Sequence, residues 1–142
     1  MTIVTDAIRL STRGESEIVD LTADVQQVVE SHGFREGQAL VFVSGSTAGL
    51  TTIEYEPGLL EDLPAAFERI APRGIRYRHE DTWHDGNGHS HVRASLLGPS
   101  LAVPFREGRL LLGTWQQIAL VDFDNRPRRR EVVVQLTGEK AQ

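Results

Sequence analysis

RLLLGTWQQIALVDF, residues 109–123, alternates with a period of two. Leu112, Thr114, Gln116, Ile118 and Leu120 fall on one side of an extended chain, and Leu111, Gly113, Trp115, Gln117, Ala119 and Val121 on the other. One long strand is the expectation, joined across Arg106-Glu107-Gly108 to LAVPF (101–105) as a tight hairpin. Gln116 and Gln117 put an amide on each face. A packed core tolerates that only when the amides are hydrogen-bonded, so a ligand pocket or a subunit interface is expected beside them. Residues 124–127 supply turn chemistry, and 130–136 return as a strand.

Upstream of this β-rich third the pattern mixes strands with helices. Residues 2–10 and 17–21 read as extended, with STRGES as the turn between them. Thr22 is a candidate N-cap for a helix whose Val25, Val28 and Val29 share one face and which Gly33 stops. His32, in its last turn, reads as a helix-end residue. QALVFV (38–43) has the length of a buried strand. Pro57 opens a second helix, about 59–70, with Leu60, Leu63, Phe67 and Ile70 as its apolar stripe. Residues 75–78 are expected to start a short strand, and 90–97 a short helix ended by Gly98-Pro99.

The chain of 142 residues fits one domain, read here as spanning 1–142, and its 39% hydrophobic and 25% charged residues are those of a globular protein. No apolar run approaches the roughly 20 residues that span a bilayer, and the N-terminus lacks a basic segment followed by an apolar block, so a cytoplasmic protein is expected. Having no cysteine, the chain is left with His, Asp and Glu as its strong metal ligands. The net charge of -5 argues against nucleic acid as a partner.

Candidate chemistry concentrates in YRHEDTWHDGNGHSHVRASLLGP (77–99), which holds four of the five histidines. Gly86 and Gly88 around Asn87 make the middle a polar loop. His89 and His91 diverge if they lie on a helix, so His79, at the other end of the loop, is the natural partner of His91. Two such imidazoles suit a metal or an acid–base role; the alternative is that His84 and His89 are solvated and His91 packs at a helix end. SGST (44–47) offers hydroxyls and close backbone approach to an anionic ligand, or else marks a bulge. Glu54 and Glu56 are an acid–base pair or a solvated strand face. Arg126, Arg128, Arg129 and Arg130 either grip phosphate or form a solvated or subunit-facing surface.

The ordered set VFVSGSTAGLTTIEYEPG, YRH, NGHSHVRASLLGPSLAVPF, GRLLLGTWQQIALVDFD and RRREVVV resembles the YjbQ-like family, also called the secondary thiamine-phosphate synthase enzyme family. The resemblance covers nearly the whole chain. It implies an α+β fold, an antiparallel β-sandwich-like core with two or three helices, assembled as a homotrimer with sites near subunit boundaries. It also implies a weak thiamine-phosphate synthase activity, coupling a pyrimidine diphosphate to a thiazole phosphate.

Family members resemble metal binders that use three histidines. Carried over residue by residue, the Y-x-H histidine is His79, the following Asn is Asn87, the histidine after it is His91, and Glu54 matches an acidic family position. Where the family has His-Thr-Thr, this chain has Gly45-Ser46-Thr47. A zinc-like divalent site would therefore lose one ligand unless His89, His84 or Glu54 replaced it. On this reading His79, His91, Asn87 and Glu54 are the catalytic candidates, and His79, His91 and His89 the metal candidates. Ser46, Thr47 and Arg93 are placed on phosphate oxygens and Gln116 on a substrate ring. The competing expectation is a non-enzymatic trimer that keeps a pocket for a small phosphorylated metabolite.

Overall fold

The computed structural model describes residues Met1–Gln142. In chain order its elements are β1 (Thr2–Thr12), β2 (Glu17–Asp20), α1 (Thr22–Ser31), β3 (Phe34–Val43), β4 (Ala48–Ile53), α2 (Pro57–Ile70), α3 (Glu80–Trp83), α4 (Gly88–Leu97), β5 (Ser100–Arg106), β6 (Arg109–Leu110), β7 (Gln117–Asp122) and β8 (Arg128–Lys140). The strands form a five-stranded sheet, ordered β1-β8-β3-β5-β6, and a three-stranded sheet, ordered β2-β7-β4, with every pairing antiparallel. This is the expected α+β architecture; α3, a single turn, is added to the three longer helices.

The layers follow from which faces are apolar. Ala39, Val41 and Val43 of β3, Val132, Val134 and Leu136 of β8, and Val103 and Phe105 of β5 alternate onto one face of the large sheet. They pack against Val25, Val28 and Val29 of α1 and against Leu50, Ile118 and Leu120 of the small sheet. The opposite face of the small sheet contributes Ile18, Ala119 and Val121 to a second cluster with Phe123, Phe67 of α2 and Ala94 of α4. β7 is therefore covered on both faces, which is why IALV is apolar without interruption.

The long strand expected at 109–123 is divided. β6 pairs with β5 for two residues, the chain leaves that sheet, and β7 enters the other between β2 and β4. In the connection the Gln116 carboxamide oxygen accepts from Gly113 N (3.0 Å) while Gln116 N donates to Gly113 O (3.1 Å), closing a turn that a straight strand would not allow. A period of two persists through such a break, because alternation records faces and not partners.

Four smaller expectations are also corrected. Thr22 is the first helical residue of α1 and Leu21 its cap; the Thr22 hydroxyl accepts from Ile118 N instead (2.9 Å). α2 begins at Pro57, where the Glu56 carboxylate accepts from Gly58 N (2.8 Å) and Leu59 N (2.5 Å), so Glu56 is a cap and not a catalytic acid. Residues 75–78 are not a strand, and Ile70 is exposed. His32 ends α1 with its ring bonded to Asp6 of β1 (2.8 Å).

Because β7 serves both cores, truncating it should be expensive. Leu120→Ala is expected to lower unfolding stability by about 2–5 kcal/mol in urea denaturation. A loss below about 1 kcal/mol would show that the layers collapse around the lost volume.

Candidate functional site

A cleft of about 330 Å³ opens where the two sheets meet the histidine loop, lined by Gly45, Ser46, Thr47, His79, Trp83, Asp85, Asn87, His91, Arg128 and Arg130. Its walls come from three places in the chain: the β3–β4 connection, the loop between α2 and α4, and the start of β8. In volume it suits a small molecule.

On the histidine side, His79 precedes α3 and His91 lies in the first turn of α4. Their rings meet with centroids 4.2 Å apart, tilted by 44°. The loop between them is pinned by the Glu80 carboxylate, which accepts from Gly86 N (2.6 Å) and Gly88 N (3.0 Å). Gly88 sits so close to Tyr77 that a Cβ there would lie 2.4 Å from the Tyr77 Cβ, so only glycine lets α4 start at this point. Asn87 is buried and heads α4 without capping it through its side chain. With its amide nitrogen turned toward the neighbouring acceptors it donates to His79 Nε2 (3.1 Å) and Asp85 Oδ1 (2.7 Å). Burial, and then the neighbouring His79, push His91 below the usual imidazole range, so the ring is neutral at pH 7.

The arginine side is more firmly built. Residues 128 and 130 share one face of β8, so Arg128 and Arg130 turn inward while Arg129 is exposed; Arg126 lies exposed in the turn before the strand. Arg130 grips buried Asp122 with Nε on Oδ2 (2.6 Å) and Nη2 on Oδ1 (2.8 Å). Its Nη2 also donates to the Thr47 hydroxyl (2.7 Å), which in turn donates to Asp124 Oδ2 (2.9 Å). Arg128 Nε donates to the same Asp124 oxygen (2.6 Å). Burial alone would raise both aspartates, but the bonds from Arg130 and Thr12 to Asp122, and from Arg128 and Thr47 to Asp124, outweigh it and hold both carboxyls below their usual range. Asp122 and Asp124 thus balance the two guanidinium charges, and the terminal nitrogens that remain face the cleft as oriented donors.

The cleft gathers His79, His91, Asn87, Ser46 and Thr47, and four other expected site residues lie outside it. Arg93 is buried away from the cleft, with Nε on Ala71 O (3.0 Å), Nη1 on Ser16 Oγ (3.1 Å) and Nη2 on Glu68 Oε2 (2.5 Å), so each of its nitrogens is already engaged by the protein. His89 is 1% exposed and faces Tyr77, because two residues along a helix turn a side chain by about 200°, to the face opposite His91; it cannot join His91 at a metal. Glu54 lines a separate hollow with Tyr55, Glu56, Trp115 and Gln117. Gln116 is engaged by Thr52 Oγ1 (3.1 Å) and Gly113 in the β6–β7 connection. His84 ends α3 in a left-handed conformation and is exposed.

Asp85, Trp83, Arg128 and Arg130 join the cleft without having been singled out as its members. The only signal was the arginine run, which the strand divides: Arg128 and Arg130 line the cleft, and Arg126 and Arg129 are exposed.

No three His, Asp or Glu side chains converge as ligands in this arrangement, so a three-ligand metal site does not fit it. Gly45 contributes no side chain, and a Cβ there would stand 2.9 Å from Arg130 Nη1, a fixed cation in the place a third ligand would need. No helix is long and apolar enough to cross a membrane.

Stacked antiparallel sheets that enclose a polar cleft between a histidine loop and an aspartate-bound arginine pair define the class of protein. The chain belongs to the YjbQ-like family: the model described as UPF0047 protein YjbQ-like matches residues 6–139. A UPF0047 protein of Archaeoglobus fulgidus is 42% identical over 127 residues, covering 89% of this chain and 96% of its own. Another, of Mycobacterium tuberculosis, is 40% identical over 128 residues, covering 90% and 93%. The crystal structure of a YbjQ-like protein of unknown function from Sulfolobus solfataricus P2 is similar with a TM-score of 0.91 at 37% identity, covering 97% of this chain and 99% of its own. That of an uncharacterized conserved YjbQ/UPF0047 family protein from Clostridium acetobutylicum has a TM-score of 0.84 at 32% identity, covering 93% and 99%.

Burial lowers His89 as well as His91, followed in the case of His89 by the nearby Arg93. The folded chain then binds fewer protons than the unfolded one, whose histidines titrate near 6.5, and stability is lost as pH falls below that value. His89→Gln, which cannot titrate, is expected to reduce the drop in melting temperature between neutral and mildly acidic buffer. An unchanged drop would show that His89 takes its proton in the folded state as readily as in the unfolded one.

Proposed function

We propose that this protein is a transferase of the thiamine-phosphate synthase type, acting on a small diphosphate substrate in the cleft between His79, His91, Arg128 and Arg130. The observation that carries the reading is that guanidinium groups with unengaged terminal nitrogens and the His79–His91 ring pair line one small cavity. The first can hold a departing diphosphate, and the second can bond to or exchange a proton with a bound heterocycle.

In the reaction, the lone pair of the thiazole nitrogen forms a bond to the pyrimidine methylene carbon. The methylene C–O bond breaks, and its electron pair leaves with pyrophosphate. The nitrogen carries no proton to remove, so the main demand is stabilisation of negative charge on the leaving group. Arg128 and Arg130 meet it, and Ser46, exposed at the rim, adds a hydroxyl. Thr47 acts through others, since its hydroxyl is engaged by Asp124 and Arg130. Trp83, 69% exposed where it borders the cleft, offers an aromatic face to a planar ring.

A second reading, a non-enzymatic protein that binds a small phosphorylated metabolite, is favoured by the lack of a converging metal-ligand set and by Gly45. Product formation from the two phosphorylated substrates separates the readings. Wild type is expected to make product and His91→Ala to be slower by roughly 10²–10⁴-fold. Equal rates would sink the role of His91, and substrate binding without turnover would support the binder.

The homotrimer belongs to the same proposal. Ile3, Leu40 and Phe42 are 64%, 39% and 41% exposed on the outer face of the large sheet, where an apolar surface lacks cover. Phe42→Glu is expected to convert a trimer into smaller species in sedimentation experiments; a wild-type chain that sediments as a monomer would refute the assembly.

A further inference from the structure

We propose that Gly45 and the Arg130 guanidinium form a receptor for a phosphate or diphosphate group that works without a divalent cation. The inference rests on the reading of the cleft as a site for a phosphorylated ligand, and it names the device that holds the phosphoryl oxygens.

Two constraints meet at Gly45. Its φ of +116° lies where side-chain-bearing residues are strained, and the space a Cβ would take is closed by Arg130 Nη1 at 2.9 Å. A terminal guanidinium nitrogen usually yields to such a contact by moving. This one cannot move freely, because Nε and Nη2 are held by both oxygens of Asp122 and by Thr47. The arginine side chain is only 6% exposed and Asp122 is fully buried. Nη1 alone has no protein acceptor, and it borders the cleft beside Gly45. Arg128 is held by a single bond, Nε to Asp124 Oδ2 (2.6 Å), and is 34% exposed, with its terminal nitrogens left over.

The result is a set of donors held before any ligand arrives, reached through an opening that exists because residue 45 has no side chain. Donors aligned in this way suit the oxygens of a phosphate, which accept several charge-assisted bonds at once. Because Asp122 and Asp124 balance the arginines, selectivity comes from direction and number of donors more than from net charge. A metal bridge to the phosphate is not required, since the guanidinium nitrogens themselves supply charge-assisted donors.

The probe is inorganic pyrophosphate, titrated calorimetrically into the full chain in the presence of EDTA. Wild type is expected to bind it. Gly45→Ala, which keeps the Arg130–Asp122 pair but crowds Nη1, and the double variant Arg130→Met with Asp122→Asn, which removes both charges together, should each weaken binding roughly ten- to a hundred-fold. Thermal unfolding identifies any variant that has lost its fold, and the two disturb the core differently. Three results would overturn the receptor: no pyrophosphate binding by wild type, binding only when a divalent metal is added, or undiminished binding by folded Gly45→Ala or by the folded double variant. Pyrophosphate binding without product formation would sink only the transferase reading, and product formation that depends on added metal would sink only this one.

Discussion

Asp122 closes β7 in one sheet and Arg130 lies near the start of β8 in the other, so their two-point ion pair crosses the seam between the sheets. Both side chains are out of water, and removing one partner of such a pair costs about 3–5 kcal/mol because the other charge is left buried and unmatched. Thr12 of β1 donates to Asp122 (2.5 Å) and Thr47 accepts from Arg130. The pair therefore sets how β1, β4, β7 and β8 meet. Moving it would move the floor of the cleft.

The histidine wall depends on that floor. Asn125, next to Asp124, donates through its amide to Asp85 O (2.9 Å) and so ties the loop before α4 to the turn before β8. Glu80 gathers the rest of the loop by accepting from two of its backbone N–H groups. His79 is held by this chain of polar contacts, which begins at the sheet seam, and His91 by α4, whose Ala94 packs in the second apolar cluster. The cleft consequently joins a charge-balanced arginine side to a histidine side, a division suited to gripping a leaving group while a ring is positioned opposite.

Much of this was legible from residue pattern. The valines of α1, the alternation of β3 and β8, and the glycine and proline stops of α4 each report a local period or a backbone constraint, and the elements formed where those signals stood. The divergence of His89 from His91 followed from helical geometry, and so did the choice of His79 as partner. The errors share one cause. Arg93, Gln116, Glu54 and the long strand at 109–123 were read from chemical type or alternation alone. Whether a guanidinium meets a substrate or a glutamate of its own chain depends on what packs across from it, and that partner is distant in sequence: Arg93 is answered by Glu68 and Ser16.

By itself the sequence determined most of the secondary elements and the polar, histidine-rich character of 77–91, because these depend on contacts within a few residues, while the α+β class came with the resemblance to the family. Only the tertiary structure decided that Arg128 and Arg130 belong with His79 and His91, that Asp122 and Asp124 balance those arginines, and that the side chain missing at Gly45 is answered by a guanidinium 85 positions further on. The physical reason is that burial and charge pairing are properties of a place in the fold, and this place is assembled from three segments that no local period connects.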